Sequence, residues 1–192
     1  VEVLYFPRSM APSRFQRPPI VSALIALLAL WVVHPLTAGE ADYRQVLDAF
    51  TGSWEGTYTI ATPRGQTLKR LKAEHRYWWE GDVQRFEQSF EDGEGNITRA
   101  TGRIRIKSDH LWSRVREADG PVREYLGFVR DRTLVWIPRD AAEANRQQSI
   151  EEIKTRDGEE TLYVEAFEIL EEGSRARPLR IRGKLLRTDP EP

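Results

Sequence analysis

The sequence predicts an all-β protein, a single up-and-down antiparallel β-barrel of about 8–10 strands preceded by a short helix. Three observations carry that prediction. From Ser53 onward, segment after segment alternates apolar and polar residues with a period of two. Short clusters of Gly, Pro, Asp and Asn separate these segments at hairpin spacing. No amphipathic stretch between them is long enough for a crossover helix, so each strand pairs with its sequence neighbour and closure of the sheet removes exposed edges. A two-sheet sandwich is the runner-up arrangement.

The helix comes first. In Glu40 to Phe50, Tyr43, Val46, Leu47 and Phe50 recur at helical spacing with acidic residues early, which suits one amphipathic helix leaning on a barrel end. The first strand follows, with Trp54, Gly56, Tyr58 and Ile60 on one face and Glu55, Thr57 and Thr59 on the other. After the Pro63-Arg64-Gly65 turn, the second strand alternates Leu71, Ala73, His75, Tyr77 and Trp79 with Lys72, Glu74, Arg76 and Trp78, so a histidine stands on an aromatic face. Glu80-Gly81-Asp82 turns the chain into Val83 to Phe90. Asp92-Gly93-Glu94-Gly95-Asn96 turns it back into Ile97 to Lys107. This acidic turn lacks the alternating oxygen ligands and terminal glutamate of a calcium loop, and reads as a solvated reversal.

Leu111 to Glu117, Val122 to Arg130 and Thr133 to Pro138 are three further strands. Arg139 to Gln148 has alanines, glutamines and charges without alternation, which predicts a loop or a helical turn, with a lid as its candidate role. Ile150 to Thr155, Thr161 to Leu170 and Leu179 to Arg187 complete the set, and the glutamates near Glu151 and Glu171 read as solvated strand ends. The last strand puts Leu179, Ile181, Gly183 and Leu185 on one face.

The residues before this domain have the grammar of an export signal. Arg14 and Arg17 precede a nearly uncharged apolar run from Ile20 to Val33, shorter than the ~20 residues that span a bilayer. Leu36-Thr37-Ala38 then offers a cleavage site. Residues 1–38 are therefore expected to be a signal peptide starting at Met10 with an upstream extension, and 39–192 the barrel domain, exported to the periplasm or outside the cell. An uncleaved anchor is the other reading of that run.

The formal net charge is −1, and the signs are interspersed along the strands, so neither a nucleic acid nor an anionic membrane surface is an expected partner. There is no cysteine. The domain must hold without disulfides, and no thiol is present for a lipid anchor or a metal.

Phe50 to Tyr58, with Gly52-Ser53-Trp54 at the helix-to-strand junction, resembles the opening of the calycin superfamily, which includes lipocalins and fatty-acid-binding proteins. Bacterial exported lipocalin-like proteins are the nearest description. The resemblance implies a lipocalin-like barrel whose motif tryptophan, here Trp54, packs at the closed end with an arginine of the last strand, for which Arg180, Arg182 and Arg187 are candidates. A cation over an indole face is worth about 1 kcal/mol. Two features depart from the family: Pro63 to Gln66 leaves no room for the two-helix insertion of fatty-acid-binding proteins, and the disulfides of secreted lipocalins are missing. Gly52-Ser53-Trp54-Glu55-Gly56 is also similar to haem-binding nitrobindin-like barrels. Those ligate iron through a histidine near the C-terminus, and this chain has none after His110. No cofactor and no metal site are expected.

A barrel of this kind encloses a cavity, so the expected function is binding of a small apolar or amphipathic ligand, with Tyr58, His75, Tyr77 and Trp79 lining the site. Against this, the aromatic set Trp54, Tyr58, Tyr77, Trp79, Phe86, Phe90, Trp112, Trp136 and Phe167 is also what a barrel uses to fill itself, and His75 is also readable as a satisfied core histidine. Arg85, Glu87, Glu124 and Glu165 are taken to face solvent. Nucleophile elbows, phosphate loops and metalloprotease helices are missing, so no catalytic residue is assigned. Two alternatives stand beside binding: a barrel enzyme of isomerase or cyclase type using His75 as acid or base, and a filled barrel serving as an envelope or interaction module.

Overall fold

The computed structural model describes residues 40–118, 120–172 and 175–188. The expected signal peptide, residues 1–38, lies outside them. Ten strands follow one helix: α1 (Glu40–Phe50), β1 (Gly52–Ala61), β2 (Thr67–Glu80), β3 (Val83–Glu91), β4 (Ile97–Ile106), β5 (Leu111–Glu117), β6 (Val122–Arg130), β7 (Thr133–Pro138), a one-turn helix α2 (Ala141–Ala144), β8 (Gln147–Arg156), β9 (Glu159–Glu172) and β10 (Arg175–Arg187). Each strand pairs antiparallel with its sequence neighbour, and β10 returns to β1, so the sheet is a closed barrel. The up-and-down barrel expected from the alternation is the fold observed, and the sandwich is not.

Register decides which residues face inward. Trp54 lies between His75 and Arg187, Tyr77 opposite Phe86, and Phe86 opposite Gly102. Ladder partners share a face, so the inward set runs continuously around the barrel. It includes Leu111, Val129, Leu134, Trp136, Leu162, Val164 and Leu185, all buried. Arg85, Glu87, Glu124 and Glu165 have the opposite parity and face out, Glu124 toward Arg139 and Glu165 toward Arg180 and Arg182. Trp112 and Phe167, grouped by sequence with the interior aromatics, also lie on the outer surface: Trp112 sits beside Arg103, and Phe167 is among the exposed apolar residues. Their position within the strand, and not their hydrophobicity, sets the side on which they fall.

Sharp reversals keep the strands long. Asp157 and Gly158, at φ 55° and 83°, make a two-residue turn between β8 and β9 whose twist matches that of the strands it joins. The segment 139–148, expected as a loop or helical turn, contains α2, capped by the Asp140 side chain on the Ala142 N–H, and then the first residues of β8.

Helix α1 plugs one end. Tyr43, Val46, Leu47 and Phe50 are buried in the same cluster as Trp54, Tyr77, Leu111 and Leu185. A helix leaves its last four carbonyls without intrahelical partners, and here each has one. Gln84 donates to Leu47 O, the Thr51 N–H to Asp48 O, Arg187 to Ala49 O at 2.6 Å, and the Trp54 indole to Phe50 O at 2.9 Å. Arg187 also donates to Thr51 O and Glu160 while its guanidinium lies 4.2 Å from the Trp54 ring centroid. Of the three candidate arginines, Arg187 therefore meets Trp54. Its positive charge also complements the negative end of the α1 dipole.

Candidate ligand site in the barrel lumen

Above the plug, β1, β2 and β3 contribute an aromatic wall. Tyr58 and His75 face inward from β1 and β2 with ring centroids 5.7 Å apart, Phe90 stands edge-on to both at 5.3 and 5.6 Å, and Tyr77 lies 6.2 Å from His75. Tyr58 is fixed by close approach: its ring covers Gly183 of β10, where an added Cβ would meet ring carbons at 2.7 Å. Only a residue without a Cβ fits under it.

His75 is buried, at 3% exposure, and burial lowers its pKa to about 3, so the ring is neutral at physiological pH. The Gln88 side-chain amide reaches its Nδ1 at 3.5 Å and donates to the Tyr77 hydroxyl at 3.4 Å. His75 Nε2 has no partner among the described residues. A buried ring nitrogen without a hydrogen bond is uncommon and costs about 1–3 kcal/mol.

The far wall supplies a group that the sequence pattern hid. Glu151 was expected at a solvated strand end, but the register sets it between Leu134 of β7 and Val164 of β9, both buried and inward-facing. Neighbouring Ile150 is exposed instead. The reason is parity: Ile150 and Ile153 are three apart and cannot share a strand face, and pairing to β7 and β9 puts Ile153 inside with Ser149 and Glu151. Glu151, Gln88 and Ser149 share inward parity, and each keeps part of its surface accessible. Desolvation raises its pKa to about 7 against a donated hydrogen bond from the Trp136 indole, which favours the anion. Trp136 is held over Gly127 of β6, where a Cβ would lie 2.4 Å from the indole ring.

The two walls interact. Tyr58 and Tyr77 both have pKa values well above the ordinary phenol, first because they are desolvated and then because of the Glu151 carboxylate across the lumen. Three of the four residues singled out by sequence, Tyr58, His75 and Tyr77, therefore come together. Trp79 is elsewhere: at the plugged end its indole donates to Asp48 at 2.8 Å and Arg44 stacks on it at 3.5 Å.

The end away from α1 is divided in chemistry. Ile60, Leu170 and Leu179 make an apolar cluster on β1, β9 and β10. On the other side Glu117, Arg123, Tyr125, Gln147 and Glu168 have inward parity, with Arg123 hydrogen-bonded to Tyr125 and close to both glutamates. The acidic turn after β3 is self-contained: the Asp92 carboxylate accepts from the Glu94 and Asn96 N–H groups, the Asn96 amide and Lys69. No cluster of three or more histidine or carboxylate side chains suited to a metal occurs among the described residues.

No family model matches the chain, and no curated protein matches it. Among solved structures it is similar to a de novo designed fluorescence-activating β-barrel, at 13% identity and a TM-score of 0.36 over 74% of this chain and 97% of that one. It is also similar to EF1p2_mFAP2b bound to DFHBI, at 11% identity and a TM-score of 0.37 over 81% of this chain and 100% of that one.

Proposed function

We propose that the chain is an exported small-molecule binding protein that holds an amphipathic ligand in the barrel lumen. The observation that carries this reading is His75 Nε2, buried in the aromatic wall without a partner among the described residues, in a barrel whose inner face also carries Glu151. A filled barrel gains nothing from polar groups left unsatisfied inside it, whereas a ligand or its bound water can complete them. Tyr58, Tyr77 and Phe90 supply the apolar surface against which such a ligand packs.

Export rests on the charged start, apolar run and small-residue site within residues 1–38. Kinship with the calycins rests on the Gly52-Ser53-Trp54 junction together with the Arg187 guanidinium over Trp54 at the plugged end. A barrel enzyme is the second reading, and Glu151 favours it: a carboxyl titrating near pH 7 suits proton transfer, whereas His75 stays neutral down to about pH 3.

Native mass spectrometry of protein produced with its own export segment tests the binding reading. A co-purified small molecule that is lost from a Tyr58→Ala, Tyr77→Ala double variant supports it. A lumen that takes up neither a native ligand nor an apolar dye would instead favour the filled interaction module.

A further inference from the structure

We infer that the lumen selects an organic cation, an apolar body carrying a protonated amine, with the amine against Glu151 and the body against Tyr58, Tyr77 and Phe90; this rests on the ligand-binding reading above. Glu151 sits in mid-strand between Leu134 and Val164, away from both barrel ends. Among the described residues its partner is the Trp136 indole N–H, and no ammonium, guanidinium or imidazolium stabilises its charge. Three inward-facing cations are committed elsewhere: Arg123 to Tyr125, Glu117 and Glu168, Arg187 to Glu160 and the α1 carbonyls, and Lys69 to Asp92.

A carboxylate in such a place has lost water and gained one hydrogen bond, so a cation entering the lumen recovers attraction that the protein itself does not supply. Across from it stand aromatic faces, which also attract cations. An anionic ligand meets the opposite situation. His75 carries no compensating charge, and the anion would stand near Glu151 in a desolvated space. Trp136, clamped over Gly127, fixes where the carboxylate points.

A matched series of decylamine, decanol and decanoate, titrated calorimetrically into the wild-type protein at pH 8, isolates charge from tail. Decylamine is expected to bind at least about tenfold more tightly than either of the others. In Glu151→Gln that preference should collapse while decanol keeps its affinity, and the isosteric change makes a folding defect separable by circular dichroism. Decanol or decanoate binding as tightly as decylamine would overturn the cation assignment and leave the binding reading intact. A preference retained in Glu151→Gln would do the same. Failure of all three to bind overturns both.

Discussion

Replacing Glu151 by glutamine should stabilise the free protein at and above neutrality and change little below about pH 4.5. In the unfolded chain the carboxyl titrates at 4.5, and in the barrel at about 7, so between those values the folded state binds more protons than the unfolded one. Stability contributed by this group is therefore complete below about pH 4.5 and declines as pH rises through about 7. Each tenfold change in proton affinity corresponds to about 1.4 kcal/mol, so the interval is worth about 3–4 kcal/mol at most, and about 2 kcal/mol once water in the lumen screens part of it. The titratable groups of the aromatic wall contribute equally to the two proteins compared and do not blur their difference. Tyr58 and Tyr77 stay neutral throughout, and His75, lowered to about 3, acts in the opposite direction, losing stability as pH falls below its unfolded value of 6.5. Urea unfolding followed by tryptophan fluorescence at pH 5, 6, 7 and 8, on wild type and Glu151→Gln, gives the difference directly. A gap that opens with rising pH is expected. A gap that is constant over the range would mean that the carboxyl sits in bulk solvent, and the lumen site would fall with it.

Other perturbations probe the supports of that site. Arg187→Ala removes the cation over Trp54 and two donors to the α1 end, and should cost about 2–4 kcal/mol in urea midpoint terms, with Arg187→Lys recovering only part because an ammonium cannot make the same fork of bonds. A lysine variant as stable as wild type would refute that account of the plug. Gly127→Ala drives a methyl into the Trp136 ring and should lower stability by about 1–3 kcal/mol, with a changed near-ultraviolet circular dichroism spectrum. An unchanged spectrum would show that Trp136 is not clamped. His75→Phe removes the unpartnered nitrogen, so the free protein should be about 1 kcal/mol more stable while affinity for any co-purified ligand falls. A loss of stability on that change would mean that the nitrogen is already satisfied.

What the sequence made legible was whatever depends on periodicity. Strand β2 reads correctly because Leu71, Ala73, His75, Tyr77 and Trp79 keep one parity over five positions, and the amphipathic stretch before it reads correctly as the helix α1. Parity alone, however, does not say how far along the barrel axis a residue lies. Trp79 shares its strand face with His75 yet stands at the plug, against Asp48 and Arg44, because β2 runs the length of the barrel and each two-residue step moves about 7 Å. The arginine that meets Trp54 required the β1 to β10 register, which is a closure of the whole chain and leaves no local mark.

Glu151 was missed for a deeper reason. A half-buried strand announces its inner face by placing apolar residues there, and β8 reverses the sign at its centre, with Ile150 outside and Glu151 within. No rule of burial chooses that arrangement for stability, since the exposed isoleucine and the desolvated carboxyl are both unfavourable relative to the swapped order. The strands on either side make the choice: Trp136 opposite Ser149 and Leu134 opposite Glu151 lock β8 to β7, and Ala166 and Val164 lock it to β9. Slipping β8 by one residue to bury Ile150 would expose Ile153 and undo every pairing around it. A local preference is thus overruled by the register of the sheet, and the place where that happens is the inner wall whose carboxylate acts on Tyr58 and Tyr77. Departures of this kind concentrate where a protein trades stability for chemistry, which makes Glu151 the residue at which the cation assignment stands or fails.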